Sequence, residues 1–294
     1  MALLYRDVNV QEEPSKNTNK HATGDPLAII YNEGLWKVNK VSPMYKMLYK
    51  PVKLKMYASK VKQAVVSAVQ ASSAKYLVKF EELPNLRYCD EDPNGLMVTV
   101  SSTLERSGTK PVYVAILLSW GLNEKVDGTI HLPYMLERGE QKVATAVKAT
   151  IQTLFDCSIK QFTFTQQQLL QFGFNFVDCD SSRSTDHFTI VYKTPQVDHK
   201  EKLSLSFDIG DINTIWQGMK GQAMKHLELV DFTYHLLQNQ IYHMIMLDIT
   251  VFDVSEISLP KAEIKGIGVV KMKTPEIVNC IFTTLNDITD MTLR

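Results

Sequence analysis

Ten lysines crowd into one stretch of a chain that has no net charge. Lys37, Lys40, Lys46, Lys50, Lys53, Lys55, Lys60, Lys62, Lys75 and Lys79 lie between Gly34 and Phe80, where there is no Asp or Glu, although the chain balances 32 Lys and Arg against 32 Asp and Glu. Ammonium groups without carboxylate partners suit one chemistry in particular: neutralising nucleic-acid phosphates with release of counterions. The densest group, Lys46, Lys50, Lys53, Lys55, Lys60 and Lys62, is therefore a set of candidate DNA-backbone contacts. The plainer alternative is a solvated helix face. Such faces usually mix signs to form i, i+4 pairs, and no acid is present here to do so. No aromatic stacking pattern or base-reading motif accompanies the lysines, so any DNA contact would be independent of sequence.

Other chemistry is poorly signposted. There is no Walker phosphate loop, no His-Glu-x-x-His and no Gly-x-Ser-x-Gly. Gly266-Ile267-Gly268 lacks the third glycine of a dinucleotide fingerprint and reads as close backbone packing or a bulge within a strand. Ser184, Asp186 and His187 are sequence neighbours, which suits a capped turn better than a triad assembled in space. His226, His235 and His243 straddle a helix and a strand with no fourth ligand in view. Cys89, Cys157, Cys179 and Cys280 are too widely spaced for a zinc module or a disulfide framework. The expectation is no catalytic residue, no cofactor and no metal.

The composition is that of an ordinary soluble globular protein, 45% hydrophobic and 22% charged over 294 residues. A neutral total argues against a wholly basic nucleic-acid binder but permits a local basic face. The N-terminus has no signal-peptide pattern, and the longest apolar run, Val112 to Leu122, is interrupted by Ser119 and too short to span a bilayer. A soluble protein of the cytoplasm or nucleus, without membrane association, is expected.

The elements that must position these residues follow from periodicity. Residues 1–26 are polar and read as a disordered tail. A short helix over Leu27–Asn32 leads to a strand in which Trp36, Val38 and Val41 point inward. Ser42-Pro43 turns the chain, with Trp36 and Tyr45 as anchors of strand and turn. From Val52, the spacing of Leu54, Tyr57, Val61 and Val65 predicts an amphipathic helix carrying the lysines. A loop and turn region over Glu81–Gly95 precedes a hairpin of two strands, Leu96–Ser101 and Val112–Trp120, joined at Ser107-Gly108. Helices are expected over Gly139–Phe155 and Gln166–Gln171, the latter ending at Gly173. Strands are expected over Phe174–Asp178, His187–Lys193 and Leu203–Asp208. Asp211 caps a helix bearing Ile212, Ile215 and Trp216, and another spans His226–Asn239. Ile241–Phe252 and Glu263–Lys273 read as strands, and Thr274-Pro275-Glu276 starts a last helix. Strands in adjacent pairs with helices between them favour α+β with antiparallel sheets.

Four landmarks, in this order and spacing, carry a resemblance: Trp36 through Ser42-Pro43-Met44-Tyr45-Lys46 into the lysine-rich helix; Leu154-Phe155-Asp156-Cys157 before Thr165–Phe172; Leu203-Ser204-Leu205-Ser206-Phe207 running into Asp211 and Trp216; and the C-terminal elements with Gly268 before the last helix. Together they resemble the centromere protein L family of inner-kinetochore subunits, from about Leu27 to the end. The acidic loop around Asp90 and the short N-terminal tail depart from the family pattern. The resemblance implies curved antiparallel β-sheets flanked by helices, forming one module over 27–294 with sub-parts of about 27–160 and 161–294. It implies a non-enzymatic adaptor in the nucleus, at the centromere and kinetochore. The implied partners are a centromere protein N-like subunit as a heterodimer, other inner-kinetochore subunits, and the centromeric nucleosome and its DNA.

Partner contact is expected where a sheet edge stays open, because an unpaired edge invites strand addition. The late segment Ile264–Met272 is the candidate edge, with Ile264, Ile267, Val269 and Lys271 as interface residues. A rival reading is a small α+β enzyme or ligand-binding domain, to be recognised by a deep pocket with strongly perturbed titratable groups.

Overall fold

The computed structural model describes residues 25–69, 75–104, 108–122, 127–179, 185–193, 202–221 and 225–292. The tail to residue 24, the Ser107 turn and Ser184 lie outside them. The elements in chain order begin with α1 (Ala28–Tyr31), β1 (Leu35–Val41), β2 (Met44–Tyr45), α2 (Pro51–Val69) and β3 (Lys75–Leu83). Then come β4 (Gly95–Leu104), β5 (Gly108–Leu118), β6 (Thr129–Ile130), β7 (Tyr134–Gly139), α3 (Gln141–Phe155), β8 (Ile159–Gln161) and α4 (Gln166–Cys179). The last are β9 (His187–Lys193), β10 (Lys202–Asp208), α5 (Ile209–Lys220), α6 (His226–Ile245), β11 (Asp253–Ser258), β12 (Ala262–Lys265), β13 (Val269–Met272) and α7 (Pro275–Thr292).

One open sheet runs β10-β9-β11-β12-β13-β1-β7-β5-β4-β3, with β8 also paired to β1, and β2 and β6 form a small separate ladder. Every pairing described is antiparallel, so the class is α+β. The two ends of this sheet are covered on opposite faces. Successive strand residues point to opposite sides, and in the middle strands both sides are buried. Trp36 and Val38, Ile116 and Leu118, and Leu136 belong to a core completed by α4, α5, α6 and α7. Val41, Ala115 and Leu117, and Met135 belong to a second core completed by α2 and α3. The strong apolar run of β5 thus follows from lying between two cores.

Several expectations fail, each for a physical reason. Phe174–Asp178 is not a strand, because α4 continues through Gly173 to Cys179. The helix is buried almost all round, which erases the one-sided period that would have marked it. Gly173 serves packing rather than termination: a Cβ there would stand 2.9 Å from Ile257 Cδ1. Ile241–Phe252 is not a strand either. α6 runs on to Ile245 and stops at Met246 in the left-handed conformation, φ +56°, and β11 begins only at Asp253. The α5 N-cap is Asp208, with Asp211 inside the first turn. β3, with Tyr76, Val78 and Phe80 inward, is a strand the sequence reading does not include, and its last residues, Glu81–Leu83, fall in the expected loop region.

Glu263–Lys273 is a hairpin rather than one strand, and neither arm is an edge. β12 lies between β11 and β13, and β13 lies between β12 and β1. Gly266-Ile267-Gly268 forms its turn, where Gly268 has φ +73° and a Cβ would meet the Phe162 carbonyl oxygen at 2.1 Å. The close backbone approach that the glycines permit comes from this chain itself.

Candidate nucleic-acid and partner surfaces

The basic surface is built on α2. Pro51 opens the helix, where its missing N–H costs nothing, and the Lys50 carbonyl accepts the amides of Lys53 (2.8 Å) and Leu54 (3.0 Å). Tyr57, Val61 and Val65 dock on the second core, and Tyr57 meets Phe155 edge-on with ring centroids 4.8 Å apart. That fixes which way the helix faces. Lys53, Lys55, Lys60 and Lys62 point to solvent, as do Lys46 and Lys50 before it. Lys53 with Lys60 and Lys55 with Lys62 make two rows, each about 10 Å long from the helical rise.

The approach to α2 is held in place. Lys46 has φ +57°; its amide donates to the Gly128 carbonyl (3.2 Å), and its own carbonyl accepts from the Tyr57 hydroxyl (3.5 Å). Met44 and Met47 are the buried anchors of this turn. Tyr45 is not: it is 46% exposed, because β2 turns alternate residues outward and Met44 takes the inward place.

Among the described residues, none of the six lysines makes an ion pair. α2 has no acid in its first turn, so cations crowd the positive end of its dipole. Charge counting did not reveal a further cation. Lys160 on β8 stands directly opposite Lys40 on β1, and both are exposed. Like charges paired across strands destabilise a sheet, and only the β8 pairing shows this one. Exposed Val52, Met56 and Val66 lie on α2 among the lysines.

The four residues assigned to partner contact are not equivalent. Ile264 is fully buried in the first core and cannot meet a partner. Ile267 is 58% exposed at the hairpin turn, and Val269 and Lys271 are half-buried on the sheet face opposite the helices. The same face carries Lys265, paired with Glu263 (2.9 Å) and Glu256 (3.1 Å). Leu35, also exposed, is registered against Lys271.

Trp36 and Trp216 are both core residues. Trp36 donates from Nε1 to the Ile30 carbonyl (2.9 Å) and lies under the Arg138 guanidinium at 5.3 Å. Trp216 stacks on Phe174 at 4.9 Å and donates to Asp178 Oδ2 (2.9 Å).

A cavity of about 720 Å³ lies where α4, α6 and α7 meet, lined by Asp178, Cys179, His226, Glu276, Cys280 and Asp287 among others. Its chemistry is quiet. A hydrogen bond with the Cys179 thiol, then burial, pushes the Cys280 thiol well up, away from the reactive thiolate. Asp178 is engaged by Trp216, Gln217 and Lys220. Among the described residues, no group of three or more His, Cys, Asp or Glu is placed to hold a metal ion. His226 lines the cavity, and His235 bonds Gln238 from the same helix. No helix among the described residues is long and apolar enough to cross a membrane.

These features define an α+β protein organised round one large open antiparallel sheet, with a basic helix at one end whose lysines have no ion pair among the described residues. The chain belongs to the centromere protein L family, whose sequence profile matches residues 30–292. No curated protein matches it. Family membership makes it a kinetochore subunit, of a structural family associated with the centromere.

Proposed function

We propose that this chain is a non-enzymatic adaptor that acts as one module, pairs with a centromere protein N-like subunit, and helps link the centromeric nucleosome and its DNA to other inner-kinetochore subunits. One observation supports the DNA-facing part above others: among the described residues, the six exposed lysines on and before α2 have no carboxylate partner. Leaving that many like charges together disfavours the folded chain unless a polyanion meets them. Phosphates do so without reading sequence. Partner contact falls to Ile267, Val269 and Lys271 on the uncovered sheet face, by side-chain packing rather than strand addition.

The test is charge reversal in the assembled complex. Lys53, Lys55, Lys60 and Lys62 are changed to Glu, and DNA affinity is measured across a salt series. Wild type should lose affinity steeply with salt, by a log–log slope of about 0.9 per phosphate neutralised. The variant should bind more weakly, with a shallower slope and an intact complex. Unchanged affinity would return these lysines to a solvated face. Imaging of the tagged protein in dividing cells should show discrete centromeric foci, and diffuse nuclear signal would sink the adaptor reading.

A further inference from the structure

α2 carries two stripes. One packs inward through Tyr57, Val61 and Val65. The other runs along the crest, away from the protein: Val52, Met56, Ser59, Gln63 and Val66, all exposed. At about 100° of rotation per residue, these five fall in one sector opposite the buried positions, and none of them is charged. Three are apolar side chains that the fold leaves outside. Val52 is 79% exposed, Val66 48% and Met56 38%.

The crest residues are spaced by four, three, four and three, which is the a and d seam of a coiled-coil helix. In that frame Met56 and Gln63 take a, and Val52, Ser59 and Val66 take d. The flanking positions are then fixed: Lys53 and Lys60 fall at e, Lys55 and Lys62 at g. Among the described residues, none of these four has a carboxylate partner. Side chains at e and g select the partner helix by charge, and four lysines select acids. Phosphates account for the flanks but not for the crest. They gain nothing by covering valine and methionine, and the crest holds the two lysine rows apart. A helix laid along the crest covers the apolar residues and sets its own flanks against both rows.

We infer that the outer face of α2 docks an amphipathic helix of a partner protein, one with apolar residues at heptad spacing and Asp or Glu on both flanks. The 19 residues of α2 offer a contact about 28 Å long. The inward stripe already holds the helix on the second core, so docking orders no new backbone on this side. Ser59 and Gln63 in the middle of the seam make the contact weaker than a leucine seam and more selective in register. The inference goes beyond the DNA-facing role proposed above. It shares four lysines with that role, so where both ligands bind, the acidic helix and DNA exclude each other.

The test separates seam from charge. The probe is a labelled synthetic peptide of about four heptads with Leu at a and d and Glu at e and g. Its Glu rows repel one another, which disfavours pairing of the peptide with itself at neutral pH. Fluorescence anisotropy with the full chain should show saturable binding, about tenfold tighter than that of a matched peptide with Ser at a and d. Met56→Ser with Val66→Ser should weaken binding of the Leu peptide about tenfold, while the DNA affinity of the assembled complex stays at the wild-type value. Changing Lys53, Lys55, Lys60 and Lys62 to Glu should abolish peptide binding. All these positions are exposed, and circular dichroism melts establish that each variant folds. Equal binding of the Leu and Ser peptides overturns the inference, since it leaves only attraction of a polyanion to lysines. So does a Leu peptide that does not bind, or one indifferent to the seam variant, or a seam variant that loses DNA affinity equally. DNA affinity unchanged by the lysine reversal would sink the DNA-facing role alone and leave the peptide result standing.

Discussion

At the β3 end of the sheet, α2 presents lysines that meet no carboxylate among the described residues. At the β10 end, several lysines are paired within the chain: Lys265 lies between Glu256 and Glu263, and Lys220 pairs with Asp178. The two ends share one backbone plan, strands on one side and helices on the other, yet the lysines of α2 differ from these in having no carboxylate partner among the described residues. A neutral total conceals this, because it averages the lysines of α2 with charges paired elsewhere. Whether a charge is paired, rather than how many charges there are, is what the proposed DNA-facing role of α2 rests on.

The comparison breaks if the two ends are not mechanically one body. Trp36 sits in β1, through which both halves of the sheet connect, and is 1% exposed. Trp36→Ala should cost about 3–5 kcal/mol from cavity and lost burial. In chemical denaturation, probes at both ends should lose structure together. Separate transitions would mean that the ends fold as two units.

A smaller effect is expected where the β3 end does bury charge. Glu137 is 2% exposed and holds Lys148 at 2.6 Å while accepting from the Tyr113 hydroxyl at 2.9 Å. Lys148→Ala leaves that carboxylate buried with one partner fewer and should cost about 1–3 kcal/mol. Pairing the change with Glu137→Gln should recover most of the loss. If Lys148→Ala is silent in denaturant titration, charge at this end is unimportant to the fold wherever it lies.

Thiols sharpen the contrast through pH. Burial, aided by the neighbouring Asp156 carboxylate, pushes Cys157 up to about 11. Only the thiolate is alkylated, and a raised pKa means less of it at neutral pH. Alkylation of Cys157 by iodoacetamide should therefore be slow at pH 8 and climb about tenfold per pH unit toward its pKa. Cys280, raised by its bond to the Cys179 thiol and by burial, should stay slower still. Fast labelling of Cys280 at pH 8, followed by mass spectrometry, would show that the cavity lined by the two thiols opens.

Much of this organisation was legible in the residues. α2 announced itself because its apolar positions fall on one stripe, and α7 because Thr274-Pro275-Glu276 supplies cap, start and acid together; the Ile277 amide indeed donates to Thr274 Oγ1. α4 was hidden by its own burial, since a helix surrounded by core has no polar face to set its period. α6 was misread past Asn239 because Ile241, Ile245 and Ile249 favour strand locally, while packing of Leu237 and Ile241 on the first core continues the helix. Lysine positions could be found by counting, but their exposure depends on how Tyr57, Val61 and Val65 dock. The edge could not be found at all from residues 262–272. Strand order is set by β1 arriving from the far end of the chain to cover β13, and nothing within the hairpin records that neighbour.

The smallest expected effect is the most diagnostic. Lys53 is in the first turn of α2, at the positive end of the helix dipole, beside Lys50 and with no acid nearby in that turn. A cation there is unfavourable, and an acid would be favourable by about 0.3–1 kcal/mol at low ionic strength. Lys53→Glu should therefore raise the melting temperature slightly, with the gain fading as salt is added. The same change should weaken DNA binding by the complex. Those two signs together would mean that the helix start is kept basic at the expense of stability, as expected of a surface retained for a polyanion. A loss of stability on Lys53→Glu would mean that the lysine supports the fold by contacts its charge does not explain. The contrast between the two ends of the sheet would then be one of packing rather than of function.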